Sequence, residues 1–189
     1  TSTVIHLAEA FSKAVNEGLK LKFNLLFMTV SGEERGLLGS KYYTDYDPVI
    51  PLEDIICNVN IDMVGRVDDD HEDNPNYIYS IGSDRLSSEL KALVEKVNTE
   101  TENLMLDYDY DRLDDPNNFY KRSDHYNFAK NDIPVVFFFN GSHLDYHQTS
   151  DTLEKIKFDL MEKRARLFFN VIMEIAQKDK VFQLDSNED

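Results

Sequence analysis

Basic residues are scarce in this sequence of 189 residues, which contains 20 Lys and Arg against 36 Asp and Glu. The formal net charge is therefore −16. Nucleic acids are bound through clustered basic side chains, so this balance argues against a nucleic-acid partner, and equally against docking on an anionic membrane. An acidic surface fits a bound cation or a substrate with a free amine, although it is also an ordinary way to keep a surface hydrated.

Cysteine and long apolar runs are scarce as well. Cys57 is the only cysteine, so no intrachain disulfide can form and the redox compartment is not indicated. No apolar run approaches the ~18 residues of a membrane span. The sequence begins at Thr1 without an initiator Met and enters a helical pattern almost at once. We interpret it as the start of a fragment, so that a targeting segment could lie upstream, and we favour a periplasmic or secreted location.

Helical and strand patterns alternate along the chain. Helical spacing of apolar residues predicts helices at residues 4–15, 36–43, 87–97, 123–130 and 158–177. Apolar runs of strand length predict strands at residues 23–30, 55–61, 77–81, 104–108 and 135–139. This order predicts an α/β fold, a mixed and mostly parallel sheet with helices on both faces. We expect one domain at residues 1–178 and a polar tail at 179–189 that frays.

Possible metal ligands follow three of the predicted strands. The first strand is followed by Glu33 and Glu34, the second ends at Asp62, and the last is followed by His143, Tyr146 and His147. Functional groups gather where the strands of such a sheet end. Carboxylate oxygens and imidazole nitrogens suit Zn²⁺, with Mn²⁺ or Co²⁺ as substitutes. Each residue alone has an ordinary explanation, in a helix dipole, a turn or a solvated loop, but their joint placement favours a metal site.

The adjacent glutamates can do different work from one loop. Neighbouring residues do not face the same way on a helix or a strand, so Glu33 and Glu34 can point apart. One can bind a metal, while the other stays unligated and takes a proton from metal-bound water. Because a metal lowers the pKa of bound water to ~7, a nearby carboxylate is a competent base at neutral pH.

Four blocks of sequence resemble the co-catalytic zinc aminopeptidases of the bacterial leucyl aminopeptidase and Streptomyces aminopeptidase type. They occur in the order of that family and span about residues 31 to 156. The blocks are Ser31–Ser40, Asn60–Gly65, Ser123-Asp124-His125 with Ile133-Pro134, and Tyr146-His147 with Asp151-Thr152. The resemblance implies a zinc exopeptidase-like fold, with residues 1–178 as the C-terminal portion of the peptidase catalytic domain.

The resemblance also implies roles for five residues. Glu33 would be the general base and acid, and Tyr146 would donate a hydrogen bond to the oxyanion of the tetrahedral intermediate. Glu34 and His147 would bind one zinc and Asp62 the other. The implied reaction removes the N-terminal residue of a peptide that has a free N-terminus. A hydroxide held by the metals would attack the polarised carbonyl, and Glu33 would pass the proton to the leaving amine.

The sequence departs from this family at its start. The family has two further ligands upstream of its Glu-Glu motif, a His and an Asp that bridges both metals. Neither is present, because that Asp would stand just before the helix that begins near Thr3, and His6 lies inside the helical pattern. The complete site would hold two zinc ions, and these residues would form only part of it. We expect weak metal binding, little or no activity, and an exposed sheet edge for this chain alone.

Other polar residues have less specific patterns. His125 could lie next to the metal ligands, or equally be a helix-cap or core histidine. His143 lies four residues before His147, but the HExxH motif requires a Glu where Leu144 stands, so we reject that motif. The acidic stretches at residues 68–70 and 107–115 are interpreted as solvated loops.

Two other functions compete with the aminopeptidase interpretation. Glutaminyl cyclases share the fold and a similar Glu-Glu motif, but they have Trp where Tyr146 stands, and this sequence has no Trp. A peptidase-like domain that only binds is the second alternative. The intact Glu33, Glu34, Asp62 and His147 argue against it for the complete protein, whereas the missing upstream ligands allow it for this chain. The sequence predicts no oligomeric state.

Overall fold

A computed structural model describes residues 1–186 of the chain. Four strands form one sheet: β1 Asn58–Ile61, β2 Tyr77–Ile81, β3 Met105–Asp107 and β4 Val135–Phe139. Their order is β1-β4-β2-β3. The pairs β1–β4 and β2–β3 are parallel, and β4 runs antiparallel to β2. The predicted mixed, mostly parallel sheet is therefore confirmed.

Five helices cover both faces of this sheet: α1 Ser2–Asn16, α2 Leu38–Asp45, α3 Ser88–Glu100, α4 His125–Ala129 and α5 Phe158–Gln177. Successive side chains of a strand point to opposite faces. On β4, Val136 and Phe138 accordingly pack with Phe168 of α5, whereas Val135 packs with Phe128 of α4. The alternation explains why β4 is apolar at every position. None of the helices within residues 1–186 is long and apolar enough to cross a membrane.

The strand predicted at residues 23–30 does not form. The segment has no regular secondary structure, and its side chains are at best half-buried, with Leu26 50% exposed. Its N-terminal end is held where the backbone N–H groups of Lys22 and Phe23 donate to the carbonyl of Ala176. A strand requires a hydrogen-bonded partner, and in the described part of the chain β1 is an edge strand that pairs with β4 alone. The apolar composition of residues 23–30 does not reveal whether such a partner strand is present.

The tail packs against the domain as far as it is described. Phe182 is 5% exposed and belongs to the core between the sheet, α3 and α5. Asp185 accepts hydrogen bonds from the backbone N–H of Ser88, at 2.7 Å, and from its hydroxyl, at 3.0 Å, at the start of α3. The expectation that the tail frays is therefore wrong for this part, because one aromatic side chain and one helix-capping carboxylate anchor it. Residues 187–189 of the predicted tail lie outside the described residues.

The two acidic stretches are each anchored by one buried aspartate. Asp68 is 3% exposed and accepts hydrogen bonds from the Tyr79 hydroxyl at 2.9 Å and from His71 Nδ1 at 2.7 Å. Asp111 accepts a hydrogen bond from the backbone N–H of Gly82 at 2.9 Å. The interpretation as solvated loops is wrong for these two residues. A buried carboxylate needs such donors, and they come from parts of the chain that the acidic composition does not reveal.

Candidate active site

Two strand ends that are followed by predicted site residues meet at one edge of the sheet. Because β1 and β4 are parallel, with Ile61 opposite Phe138, the residues that follow both strands lie side by side. Asp62 directly follows β1, and the segment 140–152, here called the β4 loop, follows β4. All five predicted site residues line one cleft: Glu33, Glu34, Asp62, Tyr146 and His147.

Unusual backbone conformations occur at three residues that line this cleft. Within residues 1–186 a positive φ is found at six non-glycine residues, of which Leu37, Met63 and His147 line the cleft, and the others are Asn103, Asn118 and Asp132. The Asn and Asp residues among them tolerate the left-handed region. Leu37 and Met63 do not do so readily, and they lie within three residues of Glu34 and Asp62. Such residues persist only where the surrounding structure holds them, which is common at functional sites.

A single helical turn presents the two glutamates. Glu33–Arg35 forms a 3₁₀ turn that follows Gly32, whose φ of 73° places it in the left-handed region that glycine favours. The Glu33 side chain is half-buried, whereas Glu34 is exposed. The two neighbours therefore have different surroundings, as expected if one binds a metal and the other exchanges a proton.

Glu34 and His147 meet in the cleft although they are 113 residues apart. Their side chains lie 2.8 Å apart, between Glu34 Oε1 and His147 Nε2. Two ligands of a tetrahedral zinc ion lie ~3.4 Å apart, so a side-chain movement of about 0.6 Å would admit the ion. The donor set fits zinc. In residues 1–186, Asp62 does not join these two in a three-ligand group with all ligand atoms within 4.8 Å of one another.

Asp62 is oriented by a short hydrogen-bonded chain. The Ser123 hydroxyl donates to Asp62 Oδ2 at 3.0 Å, and Asn60 Nδ2 donates to Ser123 Oγ at 2.9 Å. Burial raises the pKa of Asp62, and the bond from Ser123 opposes that rise. One carboxylate oxygen is thus held by the protein while the other can face a cation. Ser123 belongs to one of the four sequence blocks named above, but no spacing in the sequence predicts its contact with Asp62.

Glu33 is suited to exchange a proton near neutral pH. Burial is the main cause that raises its pKa, from the ordinary 4.5 to about 7. Repulsion from the carboxylates of Asp62, Glu34 and Asp124 adds to the rise, and the positive charge of Arg122 opposes it. A carboxyl group with this pKa can both take and return a proton at physiological pH.

Tyr146 stands beside the paired side chains of Glu34 and His147. Its ring stacks on the His147 imidazole, with ring centres 3.8 Å apart and an angle of 23° between the planes. Burial raises the Tyr146 pKa above its ordinary value of 10, and the negative charge of Glu34 raises it further. The hydroxyl therefore remains a hydrogen-bond donor near neutral pH.

A second group of potential ligands in the β4 loop is already neutralised. His143, Asp145 and Asp151 place one ligand atom each within 4.8 Å of the others. However, the Arg66 guanidinium donates to both carboxylates, and Lys155 Nζ lies 2.5 Å from Asp145 Oδ1. Two cations balance two carboxylates, so no negative charge is left to attract a metal. We therefore interpret this group as an ion-pair network.

His125 is a core residue, which decides between the two alternatives left by the sequence. It is fully buried at the start of α4, and its ring stacks on Phe137 at 4.7 Å between ring centres. It is not among the residues that line the cleft. Its neighbour Asp124 does reach the site environment and accepts a hydrogen bond from the Ser40 hydroxyl at 2.5 Å.

Comparison with known proteins gives one family and several similar folds. A family described as "Peptidase family M28" matches residues 1–172. An aminopeptidase from Aneurinibacillus sp. strain AM-1 is 22% identical with a TM-score of 0.71, and LapA aminopeptidase from Legionella pneumophila has the same two values. BSAP, a zinc aminopeptidase from Bacillus subtilis, is 21% identical with a TM-score of 0.59. No curated protein matches the chain.

The matched structures are much longer than this chain. The similarity covers 98%, 95% and 81% of the chain in the three cases, but only 40%, 45% and 36% of the respective aminopeptidases. The chain thus spans less than half the length of the proteins it resembles. At these identities the likeness shows a shared fold.

Proposed function

Because the chain belongs to peptidase family M28, we propose that it forms the C-terminal portion of a zinc-dependent aminopeptidase, which removes the N-terminal residue of a peptide. The observation that carries this proposal is the meeting of Glu34 with His147 in a cleft also lined by Glu33 and Asp62. The solved structures of similar fold are named as aminopeptidases, one of them as a zinc enzyme, which supports it.

Each of the five predicted site residues has a task in the proposed reaction. Glu34 and His147 would hold one zinc, and Asp62, oriented by Ser123, would bind a second. Bound zinc would polarise the scissile carbonyl and supply an activated water at neutral pH. Glu33 would accept the proton of the attacking water and return it to the leaving amine. Tyr146 donates its hydroxyl to the oxyanion of the tetrahedral intermediate.

The cleft has room for more than a substrate. Its volume is about 1750 Å³, against ~300–1,000 Å³ for ordinary ligand pockets. The unpaired segment 23–30, the edge strand β1 and the start of α1 at Thr1–Thr3 all line it. We propose that in the complete enzyme the upstream His and bridging Asp enter here, and that the 189 residues alone bind zinc weakly and have little activity.

Hydrolysis of an aminoacyl arylamide tests the proposed reaction. The assay uses the complete enzyme that includes the upstream residues, here called the longer protein. Glu33→Gln keeps the shape of the side chain but removes its basicity, so we expect kcat to fall ~10²–10⁴-fold. Glu100→Gln, an exposed position on α3, is the matched control and should retain wild-type activity. A chelator should abolish the activity, and zinc should restore it. An unchanged rate for Glu33→Gln would rule out the mechanism.

Two further measurements separate the alternatives. Cyclisation of a peptide with N-terminal glutamine, without arylamide hydrolysis, would indicate a glutaminyl cyclase. Binding of peptides without any turnover by the longer protein would indicate a non-catalytic domain. Two tightly held zinc ions in the 189 residues alone would refute the partial site that we propose for this chain.

A further inference from the structure

Arg66 is fixed at the junction between the two halves of the site. It lies four residues after Asp62, and its backbone N–H donates to the side chain of Asn140 at 2.8 Å. Its carbonyl accepts a hydrogen bond at 2.7 Å from Arg164, which is fully buried. The backbone of Arg66 is therefore tied both to the start of the β4 loop and to α5.

The guanidinium of Arg66 bridges the two aspartates that flank Tyr146 and His147. It donates through Nη2 to Asp145 Oδ2 at 2.6 Å and through Nη1 to Asp151 Oδ1. The side chains of Arg66 and Asp145 are 15% and 14% exposed, so solvent screens this pair much less than a surface ion pair. A planar guanidinium can hold two carboxylates at once in a fixed geometry.

The backbone hydrogen bonds around Tyr146 and His147 are internal to the β4 loop, whereas the side chain of His147 reaches Glu34 and that of Asp145 reaches Lys155. Backbone N–H groups of Tyr146, Gln148 and Asp151 donate to carbonyls three residues earlier, at 2.8, 2.9 and 3.2 Å. Such turns set the local shape of the loop but do not fix its distance from β1. The positive φ of His147, 58°, also needs support from outside the turn.

We propose that Arg66 is a positioning residue that holds Tyr146 and His147 at a fixed distance from Asp62. The strand ends themselves are joined by backbone hydrogen bonds such as that from Asn140 N–H to the Met63 carbonyl at 2.8 Å. Arg66 ties both ends of the 145–151 turn to the segment directly after β1, so the turn that carries Tyr146 and His147 cannot move away from Asp62. The expected loss of activity rests on the proposed function. The expected change in the β4 loop does not depend on it.

The test uses Arg66→Gln and Arg66→Lys in the longer protein. Gln removes the charge, and Lys retains the charge but cannot hold two carboxylates as a fork. Arg112→Gln is the matched control, because Arg112 also pairs through two nitrogens with one aspartate, Asp114, at 3.0 and 2.9 Å, but in a solvent-exposed position. Zinc affinity is measured by competition with a chelator, kcat and KM with an arylamide, and loop opening by amide hydrogen exchange.

We expect Arg66→Gln to weaken zinc binding and lower kcat by ~10–100-fold, the usual effect of removing a partner that orients a ligand, with KM changed less than about threefold. Exchange should accelerate in peptides from residues 142–152, while β4 and α5 keep their protection. Arg66→Lys should show intermediate values for zinc affinity and loop exchange. Arg112→Gln should match the wild type in every measurement.

Two outcomes would overturn the inference. Unchanged zinc affinity and loop exchange in Arg66→Gln would show that the bridge does not position the loop. Faster exchange spread through β4 and α5 would show that Arg66 serves the fold as a whole. If the wild type cleaves no peptide but the loop and zinc measurements change as expected, the proposed function fails while the positioning role stands.

Discussion

Acidification should destabilise the folded chain through His125. This imidazole is fully buried, and burial lowers its pKa from the ordinary 6.5 to about 3. In the unfolded chain the same group binds a proton below pH 6.5, whereas the folded chain does not bind it until about pH 3. The stability contributed by neutral His125 is therefore present above pH 6.5 and is lost as the pH falls from 6.5 towards 3. One pKa unit corresponds to ~1.4 kcal/mol, so His125 should lower the free energy of unfolding by ~2 kcal/mol between pH 7 and pH 5.

Urea denaturation at these two pH values measures the effect. His125→Phe keeps an aromatic ring against Phe137 but cannot take up a proton. The comparison uses the difference between pH 7 and pH 5 within each variant, so a change in packing that is independent of pH cancels. His6→Gln is the control, because His6 is exposed on α1. Between pH 7 and pH 5 the free energy of unfolding should decrease by ~2 kcal/mol less in His125→Phe than in the wild type. In His6→Gln the decrease should equal that of the wild type.

The reasoning fails if His125→Phe shows the same pH dependence as the wild type. That result would mean that His125 is protonated equally in the folded and unfolded chains. The ring would then have a charged partner or contact with water, and its assignment to the core would be wrong.

Three further substitutions test single contacts. Ser123→Ala removes the donor to Asp62 and should weaken zinc binding by the longer protein about tenfold in chelator competition; unchanged affinity would show that the hydroxyl does not orient this ligand. Arg164→Met removes a fully buried guanidinium that donates to three backbone carbonyls, at 3.0, 3.0 and 2.7 Å. It should lower the free energy of unfolding by at least ~3 kcal/mol in urea, and a loss below ~1 kcal/mol would contradict this. Gly141→Ala would place a methyl group 2.7 Å from the Asp68 Cγ at a φ of 81°. Its Tm should fall by roughly 5 °C, as ~2 kcal/mol of strain implies, and an unchanged Tm would contradict the crowding.

Local patterns predicted several elements to the residue. The strands Tyr77–Ile81 and Val135–Phe139 and the helix Phe158–Gln177 have the predicted bounds. A strand that is buried on both faces is apolar at every position, and a helix that is buried on one side has apolar residues at helical spacing. The residues of each of these elements are therefore enough to predict it. The segment 23–30 is an equally apolar run, but it does not form a strand. A ladder depends on a neighbour as well as on the strand itself, which apolar composition does not reveal.

The sequence by itself predicted the side chains to which we assign the chemistry, Glu33, Glu34, Asp62 and His147, and their positions after predicted strands. That information is local, since it lies in residue type and in position relative to apolar runs. Only the tertiary structure decided what holds these residues. Ser123 reaches Asp62 across 61 positions, and Arg66 reaches its two aspartates across 79 and 85. The Arg66 contacts exist because the parallel pairing of β1 with β4 brings distant strand ends together, whereas Ser123 reaches Asp62 because α4 packs near β1. A register between strands leaves no periodic signal in either of them.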